Sequence, residues 1–495
     1  MKVLLVYPEF PNTYWGFRHA LRFENKRSAL PPLGLLTISP LLPAAWERRL
    51  VDMNLRPLTA ADVDWADLVM VSAMLVQKES LCRVVALCNE RGKRVAVGGP
   101  YISTCVEPLT GADYIFIGEA ETTLPEFVRD FERGAARPLY RASERPSLDL
   151  TPVPDFHLAD PDQYTLMPVQ YSRGCPYQCE FCDIIEIYGR APRTKSNQQL
   201  LTELEALYNL GWRGSVLIVD DNFIANKRNV KRLLPELVAW SEAHERPFSF
   251  ITEASVNLAE DDELLEGMRR AGFNRVFLGI ETPVEESLKE TQKHQNTRRD
   301  LLDSVHRIQS YGMEVVAGFI VGFDNDPEDI FERQIRFIRE SAIPLAFVNV
   351  LTALPDTQLW RRLEREGRLI HESTGINTDC SLNFIPKMDA VRLVEGYKTI
   401  LRTIYAPAEY YERALDCLSH VIQNTPGAQR RGGLVHNLVS LARVIFTLGV
   451  RDHARAEFWR YLRKVCVAHY RKFDEAILLA ACGYHLRKLT EANCG

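Results

Sequence analysis

The fold of this chain is decided by one stretch, which reads Tyr171-Ser172-Arg173-Gly174-Cys175-Pro176-Tyr177-Gln178-Cys179-Glu180-Phe181-Cys182-Asp183. Its three cysteines have the spacing C-x3-C-x2-C and directly follow a predicted strand, residues 167–171. Three thiolates on one loop can hold three corners of an iron–sulfur cluster. Three protein ligands rather than four leave one metal position open, as in catalytic metal sites.

Two other interpretations of these cysteines stay open. A structural zinc site needs a fourth ligand, and His244 is the only Cys or His in the hundred residues that follow. The other is coincidental burial of unrelated thiols, against which Gly174 and Pro176 indicate a shaped loop. We favour the cluster.

Around this stretch, strands and helices alternate from residue 166 to residue 370. The predicted strands are Met167–Tyr171, Ser215–Val219, Phe248–Ile251, Arg275–Gly279, Glu314–Ile320 and Ala346–Leu351. The predicted helices are Gln198–Leu210, Lys227–Glu242, Asp261–Ala271, Thr297–Tyr311 and Pro327–Ser341. Such units in a row predict a complete or partial parallel (β/α)6 barrel, with its chemistry at the carboxyl ends of the strands.

Residues 1–135 also alternate between strands and helices, which predicts an α/β domain with a doubly wound, Rossmann-like parallel sheet. The predicted strands are Lys2–Tyr7, Leu68–Ala73, Arg94–Val97 and Tyr114–Ile117, and the predicted helices are Leu33–Ala45 and Leu81–Glu90. Ligands bind beyond the carboxyl ends of such strands, where the turns carry Ser72, Gly98, Gly99, Gly118 and Glu119. Ordinary tight turns are the alternative interpretation of the glycines.

The rest of the chain divides into a linker and a helical region. Residues 136–165 are rich in Pro and Asp and predict a surface linker. Residues 371–495 show amphipathic helical patterns around Asp389–Tyr405, Glu409–Gln423, Leu434–Leu448, Asp452–Tyr470 and Phe473–Lys488. The predicted domains are therefore 1–135, 166–370 and 371–495, which agrees with about 150 residues per domain in a chain of 495.

Charge and hydropathy exclude several classes of protein. The net charge of −5 gives no support for a general nucleic-acid binder. No uninterrupted apolar run reaches the ~18 residues of a spanning helix, and the apolar start resembles a buried strand rather than a signal peptide. Residues 421–495 hold twelve Lys or Arg and five Asp or Glu, including Arg430-Arg431 and Arg463-Lys464. Solvated helix faces are one explanation, and docking to an anionic membrane or an acidic electron donor is the other.

The eleven cysteines are an odd number in a long chain. They predict a reducing, cytoplasmic environment rather than a disulfide framework. Eight lie outside the loop and form no CxxC pair, so no second cluster is predicted; most are expected to be buried, and Cys494 to be exposed. These eight are Cys82, Cys88, Cys105, Cys380, Cys417, Cys466, Cys482 and Cys494.

The cysteine motif, with Phe181 before its last cysteine, resembles the signature of radical S-adenosylmethionine (SAM) enzymes. The resemblance implies a [4Fe-4S] cluster on Cys175, Cys179 and Cys182, with SAM on the open iron and a partial (β/α)6 barrel around them. By the family pattern, the residues expected to bind the cofactors are Phe181, Asp221, Glu253, Gly279, Glu281, Gly318 and Gly322. Structural turns and solvated carboxylates are the alternative for these positions.

The Rossmann-like domain before the barrel resembles that of cobalamin-binding (class B) radical SAM enzymes. The resemblance implies cobalamin contacts at Asn54, Ser72, Gly98, Gly99, Gly118 and Glu119. The family fingerprint Asp-x-His-x-x-Gly corresponds to Asp52-Met53-Asn54-Leu55-Arg56-Pro57, so no histidine is predicted beneath the cobalt. Either cobalamin binds without that ligand, which we favour, or the domain has become a scaffold or lid.

Four stretches, together with the helical DUF4070-type C-terminal extension, resemble the hopanoid C-2 methylase group. They are Val51–Pro57, Cys179–Ile184, Val219–Ile224 and Tyr311–Val316. The resemblance implies a methyltransferase that uses a 5'-deoxyadenosyl radical and methylcobalamin on an unactivated carbon of a polycyclic lipid or natural product. It also implies a donor such as flavodoxin or ferredoxin, no nucleic acid, and possible peripheral membrane contact. The alternatives are a radical SAM cyclase, dehydratase or rearrangement enzyme without cobalamin, and a non-catalytic iron–sulfur scaffold.

Overall fold

The computed structural model describes residues 1–104, 109–376, 378, 380–422 and 434–494, the last range without the side chains of residues 434–436. Its first sheet has the order β2-β1-β3-β4-β5-β6 with every pair parallel. These strands are β1 Lys2–Tyr7, β2 Glu47–Asp52, β3 Leu68–Ser72, β4 Arg94–Gly98, β5 Tyr114–Ile117 and β6 Leu139–Arg141. Apolar clusters cover both faces of the sheet, which confirms the predicted doubly wound fold.

The second sheet is an open barrel of six parallel strands in chain order. Its strands are β7 Met167–Val169, β10 Gly214–Ile218, β11 Phe248–Ala254, β12 Phe273–Glu281, β13 Glu314–Val321 and β14 Leu345–Val350. Between β7 and β10, the short strands β8 Ser172–Arg173 and β9 Arg193–Thr194 form an antiparallel pair. The predicted partial barrel is confirmed, with β7 and β14 as its edges.

The helices follow the predicted alternation. In the first domain they are α1 Arg18–Leu21, α2 Leu33–Ile38, α3 Ala60–Trp65, α4 Lys78–Glu90, α5 Pro100–Thr104 and α6 Ala120–Glu132. Around the barrel they are α7 Ile184–Ile187, α8 Asn197–Asn209, α9 Lys227–Ala243, α10 Asp262–Ala271, α11 Glu285–Glu290, α12 Leu301–Ser310, α13 Ile330–Glu340 and α14 Gln358–Arg365. The C-terminal helices are α15 Ala390–Ile404, α16 Pro407–His420, α17 Leu434–Phe446, α18 Arg455–Ala468 and α19 Phe473–Cys494.

Side chains from both ends of the chain cover the free edge of β14. The Tyr14 hydroxyl donates to the carbonyl of Val348 at 3.2 Å, and the Tyr405 hydroxyl donates to the carbonyl of Ala346 at 2.5 Å. An uncovered sheet edge leaves backbone groups unpaired. The N-terminal segment and the C-terminal helices therefore complete the barrel on this side.

The structure contains elements of the first domain that were not predicted, among them the edge strands β2 and β6 and helix α6, and it shortens one predicted helix. Strand β2 begins with Glu47-Arg48-Arg49, and β6 lies inside the predicted linker with only Tyr140 buried. Both are edge strands, whose exposed polar residues hide the apolar pattern of a buried strand. The helix predicted at Leu33–Ala45 ends at Ile38, followed by a short 3-10 turn, because Pro40 and Pro43 remove backbone donors.

Among the described residues, no helix combines the length and the apolar character that crossing a bilayer requires.

Candidate active site

The cysteine loop begins at the β8–β9 pair and is fixed by its backbone. Gly174 has a φ of +94°, and a Cβ there would lie 2.8 Å from the carbonyl oxygen of Gly189. The next amide, of Cys175, donates to that same oxygen at 3.1 Å. Only glycine tolerates this backbone conformation and close approach, so residue 174 sets the direction in which the loop leaves the sheet.

Asp220 anchors the start of the loop from below. This fully buried carboxylate accepts hydrogen bonds from the Tyr171 amide at 2.7 Å and the Ser172 hydroxyl at 2.6 Å. Burial raises its pKa to about 6, although these hydrogen bonds oppose the shift. Asp220 therefore holds the cysteine loop onto the carboxyl end of β10.

The three thiols lie at the carboxyl ends of the barrel strands. Burial raises the pKa of Cys175 and of Cys182. The Cys179 thiol accepts a hydrogen bond from Gln295 Nε2 at 3.5 Å. Within the described ranges, no three His, Cys, Asp or Glu side chains are placed to share a single metal ion. Three thiols on one fixed loop suit three corners of an iron–sulfur cluster.

Two carboxyl groups next to the loop have raised pKa values. Burial and the neighbouring Asp220 and Asp183 raise the pKa of Asp221 to about 7, and its Oδ2 atom is buried without a hydrogen-bond partner. Burial and the neighbouring Asp221 and Asp220 raise the pKa of Glu253 to about 8. Buried polar groups are normally satisfied, so these carboxyls mark a place where a ligand with N–H or O–H groups fits.

Glu281 is re-aimed by a bulge in its strand. The register between β12 and β13 shifts between Gly279 and Glu281, and Glu281 has a φ of +65°. Its carboxylate pairs with Lys293, whose ammonium lies 5.8 Å from the centre of the Phe181 ring. Burial lowers the pKa of Lys293, but Glu281 and the thiols of Cys179 and Cys182 outweigh it and raise the pKa overall.

Sequence reasoning missed Lys293, although this lysine places a cation beside the thiols. The side chain comes from the segment after α11 and reaches Glu281 across the site. A lysine in a polar segment carries no motif, so only the tertiary structure could reveal it.

Neighbouring side chains occupy the space beside the three barrel glycines that were predicted to bind cofactors. A Cβ at Gly318 would lie 3.0 Å from the Phe277 ring, and one at Gly322 would lie 3.0 Å from Leu393. A Cβ at Gly279 would lie 2.5 Å from both Glu281 Oε1 and Lys293 Nζ. In this structure Phe277 and Leu393 occupy the space beside Gly318 and Gly322, and the Glu281–Lys293 pair occupies the space beside Gly279.

At the carboxyl edge of the first sheet, Asn54 is engaged within the protein. Its Oδ1 accepts from the Phe10 amide at 2.9 Å, and its Nδ2 donates to Asp52 Oδ1 at 2.7 Å. The other oxygen of Asp52 accepts from the Tyr164 hydroxyl at 3.0 Å. The residue at the fingerprint histidine position thus ties the loop after β1 to the end of β2.

The other small residues of this edge pack against one another. A Cβ at Gly99, where φ is +97°, would lie 2.6 Å from the Ser72 hydroxyl. The Gly118 amide donates to the Ser103 hydroxyl at 3.0 Å, and Gly98 lies against Phe116. These contacts explain the glycines as tight turns and leave a small-residue surface at the edge.

Glu119 joins this edge to the cysteine loop. Arg173 Nη1, at the start of the loop, donates to Glu119 at 2.6 Å and lies 2.8 Å from Glu121. Arg193 of β9 donates to the other oxygen of Glu119 at 2.7 Å. Glu119, Glu121 and Arg173 are buried, so the carboxyl edges of the two sheets meet through a dry ionic network.

The remaining cysteines lie apart from the loop. Cys88, Cys417, Cys482 and Cys494 are buried, Cys380 is partly buried, Cys82 and Cys466 are exposed, and Cys105 and Arg430-Arg431 lie outside the described residues. The expectation that Cys494 is exposed was wrong. Helix α19 runs to Cys494 and packs inward there, where Arg402 donates to the carbonyl of Cys494.

Comparison with known proteins places these observations in context. The Radical SAM superfamily model matches residues 169–338, and the model for a domain of unknown function, DUF4070, matches residues 357–494. An uncharacterized methyltransferase of Synechocystis sp. is 45% identical, covering 99% of this chain and 92% of that protein. The hopanoid C-2 methylase of Rhodopseudomonas palustris is 35% identical, covering 98% and 93%.

Two similar solved structures agree with the fold. One is the cobalamin-dependent SAM radical enzyme OxsB with aqua-cobalamin and SAM bound, with a TM-score of 0.63 at 16% identity over 99% of this chain and 80% of that chain. The other is the radical SAM methyltransferase TsrM from Kitasatospora setae with cobalamin and a [4Fe-4S] cluster bound, with a TM-score of 0.60 at 13% identity over 99% of each chain. At these identities the likeness establishes the three-part fold.

Proposed function

This chain belongs to the radical SAM enzyme family that includes the hopanoid C-2 methylase. We propose that it methylates an unactivated carbon of a polycyclic lipid or natural product with the help of cobalamin. The observation that carries the proposal is the ionic network of Glu119, Arg173 and Arg193. It brings the edge where a corrinoid would lie against the loop where a cluster would lie. Two cofactors that must meet at one carbon need such an arrangement.

We propose that Cys175, Cys179 and Cys182 hold a [4Fe-4S] cluster and that Asp221, Glu253 and Glu281 contact SAM. When bound, these groups supply the electron and the radical that remove hydrogen from the substrate, and cobalamin supplies the methyl group. The fit rests on the three thiols, of which Cys179 is buried and Cys175 and Cys182 are partly buried, and on the unpartnered Oδ2 of Asp221. Ammonium and hydroxyl groups of SAM are donors that such carboxylates accept.

The protein's own residues set the geometry of the reaction. Asp220 and Gly174 fix the cysteine loop, and the bulge at Glu281 fixes the direction of that carboxylate. Lys293 balances the negative charge of the thiolates, and the Phe181 ring beside it helps to exclude water. Phe181, Gly279, Gly318 and Gly322 act by shaping the walls of the site.

For cobalamin, we propose a site of small residues without a histidine ligand, formed by Ser72, Gly98, Gly99 and Gly118. Asn54 and Glu119 border this surface, but their side chains are committed to internal partners. Backbone and shape would hold the corrinoid there. Because Asn54 and Glu119 already have partners inside the protein, a second candidate function is a radical SAM enzyme that no longer uses cobalamin. One experiment tests both functions.

The test is anaerobic reconstitution with iron, sulfide, SAM carrying a deuterated methyl group, and hydroxocobalamin, with a hopanoid as substrate. We expect one cobalt per chain and a trideuteromethyl group in the product. Formation of 5'-deoxyadenosine without bound cobalt would support the second candidate. No 5'-deoxyadenosine at all would point to a scaffold protein.

We also propose that the protein acts in the reducing cytoplasm and takes electrons from a flavodoxin- or ferredoxin-like donor.

We further propose that it contacts a membrane through α17 and α18. Phe446, Trp459 and Val467 are 48%, 46% and 80% exposed, and Arg463 and Lys464 lie on α18 beside them. Aromatic and basic side chains on one surface suit an anionic lipid interface. Co-sedimentation with phosphatidylglycerol vesicles that Trp459→Ala and Arg463→Ala weaken would support the contact, and equal binding to phosphatidylcholine vesicles would contradict it.

A further inference from the structure

Trp15 is an aromatic side chain that neither the cluster nor the cofactor contacts explain. It lies in the short 3-10 turn Tyr14–Gly16, in the loop that follows β1. Its indole ring packs against Phe277, with ring centres 5.1 Å apart, and edge-on against Phe347 at 4.9 Å. Even so, Trp15 is 44% exposed, and its indole N–H has no hydrogen-bond partner among the residues that the structure describes.

The register of the barrel places Trp15 on the same side as the predicted SAM ligands. Phe277 on β12 is the registered partner of Glu253 on β11. Registered neighbours on parallel strands direct their side chains to the same face. The Phe277 ring that Trp15 contacts therefore lies on the same face of the barrel sheet as Glu253, while the loop of Trp15 leaves the carboxyl edge of the first sheet.

The segment is held so that Trp15 keeps this position. Tyr14 is 1% exposed, stacks on Phe347 with ring centres 5.4 Å apart, and donates its hydroxyl to Val348. Phe17 adopts the left-handed conformation with a φ of +44°, which is unfavourable for a bulky side chain. Such strain persists where the surrounding structure imposes it, commonly at ligand sites.

We infer that Trp15, backed by Phe277 and Phe347, is the specificity-determining wall that receives the ring face of the apolar substrate. The inference rests on the proposed function and deepens it. An aromatic wall without charged groups offers contact area to a flat, apolar molecule and no partner to a polar one. The substrate would then cover the exposed part of the Trp15 ring, and the N-terminal domain would take part in substrate selection.

The test compares Trp15→Ala and Trp15→Phe with Trp65→Phe, a matched change on α3 of the first domain. With a hopanoid as the probe, we expect Trp15→Ala to raise the substrate KM at least tenfold and to yield more 5'-deoxyadenosine per methylated product. Trp15→Phe should stay within about threefold of the wild type, because a ring remains. The KM for SAM should be unchanged in all three.

A second measurement separates this inference from the proposed function. Hopanoid titration should shift the tryptophan emission to shorter wavelength in the wild type and in Trp65→Phe, because the apolar rings remove water from the half-exposed indole of Trp15. This shift should be lost in Trp15→Phe. A shift without methylation would overturn the proposed function and leave the wall supported. The wall is overturned by a shift that does not depend on Trp15, by unchanged kinetics in Trp15→Ala, or by a parallel rise in the KM for SAM.

Discussion

The carboxyl edges of the two parallel sheets face each other but are built in opposite ways. At the first edge the polar side chains are satisfied within the protein, as Asn54 and Glu119 show. At the barrel edge Asp221 keeps a buried oxygen without a partner, and Glu253 is held with a raised pKa. An edge whose polar groups are already satisfied can bind a ligand through shape and backbone contacts. An edge with unsatisfied polar groups can form hydrogen bonds to a ligand and exchange protons with it. SAM, whose ammonium and hydroxyl groups need acceptors, is therefore expected at the barrel edge.

The largest effect should come from removing a thiol of the barrel edge. We expect Cys179→Ala to lose its iron and all detectable 5'-deoxyadenosine formation, because the other two thiols cannot hold the cluster alone. Iron content and product analysis measure both effects. Cys82→Ser, at an exposed cysteine of the first domain, is the control and should keep both. Retention of a functional cluster in Cys179→Ala would contradict the proposal that the thiols at the barrel edge hold the cluster.

The next effect concerns the network that joins the two edges. Arg173→Met leaves the buried Glu121 without its cation and leaves Glu119 with Arg193 alone, and we expect the free energy of unfolding to fall by about 3–5 kcal/mol. Arg137→Met removes an exposed pair with Glu126 and should cost about 1 kcal/mol or less. Denaturant unfolding of the two variants measures the difference. Equal losses would show that the junction is no more important than a surface ion pair.

A smaller effect is expected at the fingerprint position of the first edge. Asn54→His removes the acceptor of the Phe10 amide, so we expect a loss of about 1–3 kcal/mol in the free energy of unfolding. After loading with cobalamin, the electron paramagnetic resonance spectrum of cobalt(II) should show no coupling to the new histidine nitrogen, because residue 54 is turned toward Pro8 and Asp52. Asn89→His, at an exposed site, is the stability control. A clear nitrogen coupling would show that this edge still orients a ligand toward cobalt.

The smallest effect is a pH dependence at Glu253. Its pKa is raised from 4.5 to about 8 in the folded state, so between these values the native state binds the additional proton and stability falls as the pH rises. In the cluster-free protein, Glu253→Gln should therefore raise the Tm by a few degrees at pH 8 and leave it unchanged near pH 4. Glu260→Gln, at an exposed residue, should show no such difference. A Tm gain in Glu253→Gln that is constant with pH would indicate packing rather than charge.

The barrel could be predicted from the sequence because its strands are apolar runs separated by helices. The cysteine loop was also predictable, since its ligands lie within eight residues. Lys293, Trp15 and the Glu119–Arg173 pair were not, because each depends on residues distant in sequence that only folding brings together. The edge strands β2 and β6 escaped prediction for a different reason, since half-exposed strands lack a continuous apolar pattern.

The sequence by itself determined which chemistry the protein carries, since three thiols at a short spacing specify a cluster wherever the loop lies. It also determined the order of the three parts of the chain, through the change from alternating strands and helices to helices alone. The tertiary structure alone decided which polar groups are free to meet a ligand. That property depends on whether Asn54, Glu119, Asp221 and Glu253 find partners across the folded chain, and hydrogen bonds between distant residues form only when the backbone has been packed.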